Sequence, residues 1–113
     1  MRQILFTIIL VFSLSKSNAQ INPPHFLCVE NDTLFWNLPT NTCGPFVSYE
    51  VYWSDTPDGN FVLLEEVFDE NATFYFPGNQ GSTVKYYFLL SNYDCPGFDK
   101  ISSDTLDNRP PEV

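Results

Sequence analysis

The stretch Phe46-Val47-Ser48-Tyr49-Glu50-Val51-Tyr52-Trp53-Ser54 decides the fold. Val47, Tyr49, Val51 and Trp53 fall on one side of an extended chain, and Ser48, Glu50 and Tyr52 fall on the other. That period of two belongs to a strand with one face in a core. Its residue types suit a pleated, half-buried surface.

Working outward, the same signals recur between Pro, Gly, Asn and Asp punctuation. On the N-terminal side, Thr33 to Leu38 reads as a strand with Leu34, Trp36 and Leu38 on one face, turned in by Asn31-Asp32 and ended by Pro39. His25 to Glu30 precedes it, and Pro23-Pro24 assign that first strand to a sheet edge because proline cannot donate to a central ladder. On the C-terminal side, Thr56-Pro57-Asp58-Gly59 makes a turn. Phe61 to Phe68 follows, with Glu65 and Glu66 marking its exposed part, and Thr73 to Phe76 is a short fifth strand. In the sixth, Val84 to Asn92, alternation assigns Val84, Tyr86, Phe88 and Leu90 to the core and Lys85, Tyr87, Leu89 and Ser91 to water. Lys100 to Leu106 is the seventh. No window supports a helix, so the expected class is an all-β, seven-stranded, immunoglobulin-like sandwich.

The chain has 113 residues, 43% of them apolar and 17% aromatic, which fits one domain with ample core volume. Arg2, an apolar run over Ile4 to Leu14 and the small residues of Ser17-Asn18-Ala19 form a secretory signal peptide over 1–19, with cleavage before Gln20. The competing reading, a membrane anchor, needs a run of about 20 apolar residues. Residues 20–108 are then the domain, and 109–113 a linker or the start of a following one. Without the leader the chain keeps three basic residues, Lys85, Lys100 and Arg109, against all 14 acidic ones. Such a balance argues against nucleic acid, whose phosphates call for clustered Lys and Arg, and against direct membrane insertion after cleavage.

The second-strand Leu34-x-Trp36-x-x-Pro39, third-strand Tyr49-x-Val51-x-Trp53 and sixth-strand Tyr86-x-Phe88-x-Leu90, with the opening Pro23-Pro24, resemble a fibronectin type III domain over about residues 22–108. More narrowly, Cys28-Val29-Glu30, Cys43-Gly44-x-Phe46, Asp94-Cys95 and Ser103-Asp104-Thr105-Leu106 look like the repeats of secreted gliding-associated proteins of Bacteroidetes-type bacteria. The resemblance implies that Trp36 packs across two sheets, with Tyr49, Val51, Tyr86 and Phe88 in the core. It also implies that Tyr86 forms a tyrosine corner, a role that passes to Tyr87 if the register slips by one. Arg109-Pro110-Pro111-Glu112-Val113 repeats the style of Asn22-Pro23-Pro24-His25-Phe26 and reads as a stiff linker into another module.

Three cysteines in an exported chain allow one disulfide in three pairings. In the sandwich the loops after the second and sixth strands share one end, which selects Cys43 with Cys95 and leaves Cys28 as a buried small residue of the first strand. Loops at 39–46, 55–60, 77–82 and 93–99 are expected together at that end, where a partner binds. Tyr52, Tyr87 and Tyr93 are expected on the outer face or at the loop end, where cross-strand packing between neighbours is the first reading and contact area for a protein or glycan the second.

Catalysis finds no support. His25 is the single histidine, and no nucleophile elbow, zinc motif or phosphate loop accompanies it. No cofactor motif is present. Asp55, Asp58 and Asn60 at one turn and Asp104, Asp107 and Asn108 near the exit invite calcium, but their spacing matches no known loop and no metal is assigned. Asn31-Asp32-Thr33 and Asn71-Ala72-Thr73 fit the N-glycosylation pattern. Asp32-Thr33-Leu34 and Asp104-Thr105-Leu106 resemble a bacterial O-glycosylation motif that makes Thr33 and Thr105 the acceptors. The expected role is a non-catalytic extracellular module in adhesion, gliding or spacing, secreted or on the cell surface. Its partners would be an unknown surface protein or glycan and neighbouring domains of its own chain. The alternatives are an accessory module of a hydrolase whose catalytic domain lies beyond Val113, and a eukaryotic receptor-like ectodomain.

Overall fold

The computed structural model describes residues 19–110. The leader up to Asn18 and the last three residues of the linker lie outside the described residues.

The described chain is all β, in nine strands: β1 (Gln20–Ile21), β2 (His25–Glu30), β3 (Thr33–Asn37), β4 (Phe46–Ser54), β5 (Val62–Val67), β6 (Phe74–Tyr75), β7 (Tyr86–Tyr93), β8 (Asp99–Lys100) and β9 (Leu106–Asp107). One sheet has the order β2-β3-β6 and a second the order β5-β4-β7-β9, while β1 and β8 form a short parallel pair. The two larger sheets face each other as a sandwich. Its interior holds Phe26, Leu34 and Trp36 from the first sheet and Tyr49, Val51, Tyr87 and Leu89 from the second. Trp36 meets Tyr49 edge to face across the gap, with ring centres 6.0 Å apart.

Local chemistry explains the elements. Asn31 and Asp32 both take positive φ, 52° and 64°, in the two-residue turn between β2 and β3. This is the left-handed pair that a tight hairpin wants, and Asn and Asp tolerate it. Strand β2 lies at a sheet edge, in accord with the prolines before it.

Three β-bulges re-aim side chains that simple alternation misplaces. In β4 the register shifts between Phe46 and Ser48, so Val47 is 41% exposed and Phe46 takes the inner place, with its ring 4.8 Å from Tyr49. In β5 the shift opposite Val51 and Tyr52 turns Leu64 towards the core. In β2 the shift between Phe26 and Cys28 corrects the expectation for the third cysteine. Cys28 pairs with Phe35 on the outer face and is exposed, not buried.

The faces of β7 are the reverse of those expected. Tyr87, Leu89, Ser91 and Tyr93 point inward, whereas Tyr86 and Phe88 lie on the outer face and are not core residues. The register requires this, because residues directly opposite in an antiparallel pair share a face. Val51 is opposite Leu89, Tyr49 opposite Ser91 and Trp53 opposite Tyr87. Hydropathy hid the true face, since Ser91 looks like a solvent residue. Its small side chain is fully buried beside the large Tyr49 ring. Lys85 lies just before the strand at the rim, where its ammonium pairs with Asp55 and sits 4.6 Å from the Trp53 ring centre.

Candidate functional site

The loops divide between two poles, because successive antiparallel strands turn at alternate ends. This corrects the expectation of one shared end. Residues 39–45 and 94–98 form one pole, and the turns at 31–32, 55–61 and 76–85 form the other.

At the first pole Cys43 and Cys95 are bonded. Gly44, at φ 44°, lies so close that an added Cβ would sit 2.0 Å from the Asp94 carbonyl oxygen, which only glycine permits. The backbone N–H of Asp94 donates to Pro45. The N-terminal approach is held to the same pole. The Asn22 backbone N–H donates to the Asn41 side-chain oxygen at 2.8 Å, and the Asn41 side chain returns a bond to the Asn22 carbonyl at 3.0 Å. Tyr49 donates its phenol to the Glu70 carbonyl at 2.6 Å, tying the loop at 68–73, which β5 delivers to this same pole, to the core.

The opposite pole holds the exit. The Asn108 side chain donates to Asp32 and to the Thr83 carbonyl, both at 3.0 Å, and accepts from the Lys85 backbone at 2.9 Å. Asp32 also accepts from the Gln80 backbone. Arg109 donates to Asp107 at 2.8 Å, a bond that holds the Asp107 carboxyl below its ordinary range. A groove of about 650 Å³ opens here between β2 and the exit segment, lined in part by Cys28, Glu30, Asp32, Thr105 and Asn108. Of the residues weighed for calcium, Asp55 is engaged by Lys85 and Asp107 by Arg109. Among the described residues no group of three or more His, Cys, Asp or Glu is placed to hold a metal ion.

The outer face of the four-stranded sheet carries a polar and aromatic cluster that sequence reading missed. Glu50 is 6% exposed although it points away from the core. It accepts from Lys100 at 3.0 Å and from the Tyr52 phenol at 3.2 Å, while Glu66, opposite it in register, accepts from Ser48 at 2.8 Å. Tyr52 stacks on Phe88 with centres 5.1 Å apart, and Phe61 closes on Phe88 at 4.8 Å. Alternation marks Glu50 as outward, but nothing in the sequence says that Lys100, fifty residues on, folds over it.

Of the tyrosines expected outside, Tyr52 is there, whereas Tyr87 and Tyr93 line the interior. Tyr86 forms no corner bond among the described residues; its ring lies on the outer face with the Arg109 guanidinium 5.9 Å away. The Tyr87 phenol is buried without a hydrogen-bond partner among the described residues. His25 is exposed on β2. Thr33 is half-buried at the start of β3 and Thr105 is exposed.

Burial governs how these phenols titrate. Desolvation, with the nearby Asp32 charge, pushes Tyr87 from 10.0 to about 12, and desolvation also raises Tyr49, Tyr52, Tyr75 and Tyr93. A group raised in the folded state contributes stability that is complete below its unfolded value and is lost as pH climbs through the folded one. Stability is therefore expected to hold up to about pH 10 and to fall between about pH 10 and 12. Tyrosinate absorbance followed in parallel with thermal melts checks this; ionisation of all six phenols at pH 10 without loss of structure is the contrary result.

Compared with models of known protein families and with curated proteins, the chain matches none.

Proposed function

We propose that this chain is a non-catalytic extracellular module of fibronectin type III kind, one unit of a longer secreted or surface protein, acting in spacing and adhesion. One observation carries the reading: the chain enters at one pole and leaves at the other, and side-chain hydrogen bonds pin it at both, through Asn22 with Asn41 and through Asn108 with Asp32. A module so threaded passes its chain straight through, as units in a linear array must. The disulfide fits an oxidising compartment. No helix among the described residues is long and apolar enough to cross a membrane. The same reading includes a gliding association and glycosylation at Thr33 or Thr105.

The test is the fate of the chain in its own cells. Surface labelling followed by mass spectrometry is expected to find an N-terminus at Gln20 and an oxidised Cys43–Cys95 peptide. A chain retained inside the cell with an intact leader and free thiols would defeat the reading. Reading the genomic frame past Val113 distinguishes an array, shown by repeated Pro-Pro openings, from a hydrolase accessory, shown by a catalytic motif.

A further inference from the structure

The first strand begins at Gln20, which opens β1 and stands opposite Asp99 in the parallel pair with β8. The residues just after it are held in place. The Ile21 side chain is 2% exposed, and Asn22 is hydrogen-bonded to Thr40 and to Asn41. Gln20 differs from both. Its side chain is exposed, and no hydrogen bond joins its amide to a described residue. On its leader side the Asp99 backbone N–H donates to the Ala19 carbonyl at 3.1 Å.

Cleavage before Gln20 removes that carbonyl and leaves an α-amine on the first residue of the strand. An α-amine titrates near neutrality, so a share of it is the free base, which is a nucleophile. An electrophile lies within its reach on the same residue: the side-chain amide carbon, Cδ. Attack there closes a ring of the size found in proline, which carries little strain. The exposed amide is free to swing back to the amine. The ring leaves the ψ of Gln20 alone, and that torsion aims the chain into Ile21. The anchored part of β1 therefore stays where it is.

We infer that the exported chain carries Gln20 cyclised to pyroglutamate. The α-nitrogen bonds to Cδ, the bond between Cδ and Nε2 breaks, and Nε2 leaves as ammonia with the proton that the amine gives up. No electrons pass to another reactant. The ring abolishes the terminal cation of a chain that keeps only Lys85, Lys100 and Arg109 as basic residues after the leader. It also closes the chain end, beside the buried Ile21, to exopeptidases that grip a free amine. The inference rests on the export reading, because only that cut makes the amine.

The test uses the full-length chain recovered from outside its own cells, with primary amines reductively dimethylated on the intact protein at harvest. Ring closure during later digestion then cannot imitate the modification. Tandem mass spectrometry is expected to find an N-terminal peptide that starts at Gln20, bears no methyl label at its end and is lighter than the linear form by one ammonia. Gln20→Asn, whose shorter side chain could close only a strained ring, is expected to carry the label at residue 20. A labelled, linear Gln20 would overturn the inference and leave the export reading standing, as would a Gln20→Asn chain that is also blocked. A chain that keeps its leader would overturn both.

Discussion

Replacing both Cys43 and Cys95 with alanine is expected to cost about 4 kcal/mol of folding stability. The bond closes a loop with a sequence separation of 52, and the chain-entropy argument gives about 4 kcal/mol for a loop of that length. A domain of this size holds only about 5–15 kcal/mol in total, so the variant keeps a small margin. In urea the midpoint is expected to fall while the slope rises, because the uncrosslinked denatured chain exposes more surface. A loss under about 1 kcal/mol with an unchanged slope would mean that the loops at 39–45 and 94–98 are fixed by their other contacts alone. Those contacts are real: the Asn22–Asn41 pair and the Asp94–Pro45 bond remain after the sulfurs are gone.

Trp36→Ala is expected to cost about 3–5 kcal/mol, the range for a buried large aromatic. Its side chain is 1% exposed and bridges the sheets through Tyr49. Trp36→Phe is expected to cost less, about 1–2 kcal/mol, since a ring survives to face Tyr49. The indole nitrogen finds no acceptor among the described residues, so no hydrogen bond is lost with it. The chain has two tryptophans, and Trp53 therefore remains as the fluorescent reporter of unfolding in both variants. Equal losses for alanine and phenylalanine would show that indole shape matters more than the aromatic contact.

How far the sequence discloses this molecule can be followed residue by residue. Leu34 and Trp36 alternate cleanly because β3 is a central strand without a bulge. Tyr49 and Val51 are equally legible at the centre of β4. Legibility ends where alternation is interrupted or deceptive. Val47 and Cys28 read as inward, and a bulge beside each turns them out. Tyr86 and Phe88 read as inward because the competing set contains Lys85 and Ser91. The lysine stands at the rim, and the serine is buried as a volume partner to Tyr49. Pairing register is a non-local property, and a one-residue choice exchanges every side chain of a strand.

The candidate surfaces were less legible for the same reason. The Glu50–Lys100 pair and the Asn108–Asp32 clamp join residues 50 and 76 positions apart, which no local pattern encodes. The loop poles were readable in principle, since each tight reversal sends the next loop to the opposite end. That alternation puts the loops at 39–46 and 93–99 at one end and those at 55–60 and 77–82 at the other.

The sulfur bond has a mechanical consequence. Tension applied at the two pinned poles cannot extend the chain between Cys43 and Cys95, so 52 positions are withheld from stretching. At roughly 3.4 Å per extended residue, about 180 Å of contour stays in reserve until a reductant cuts the bond. Under load such a unit yields only its flanks, and redox state, more than force, sets how long it can become.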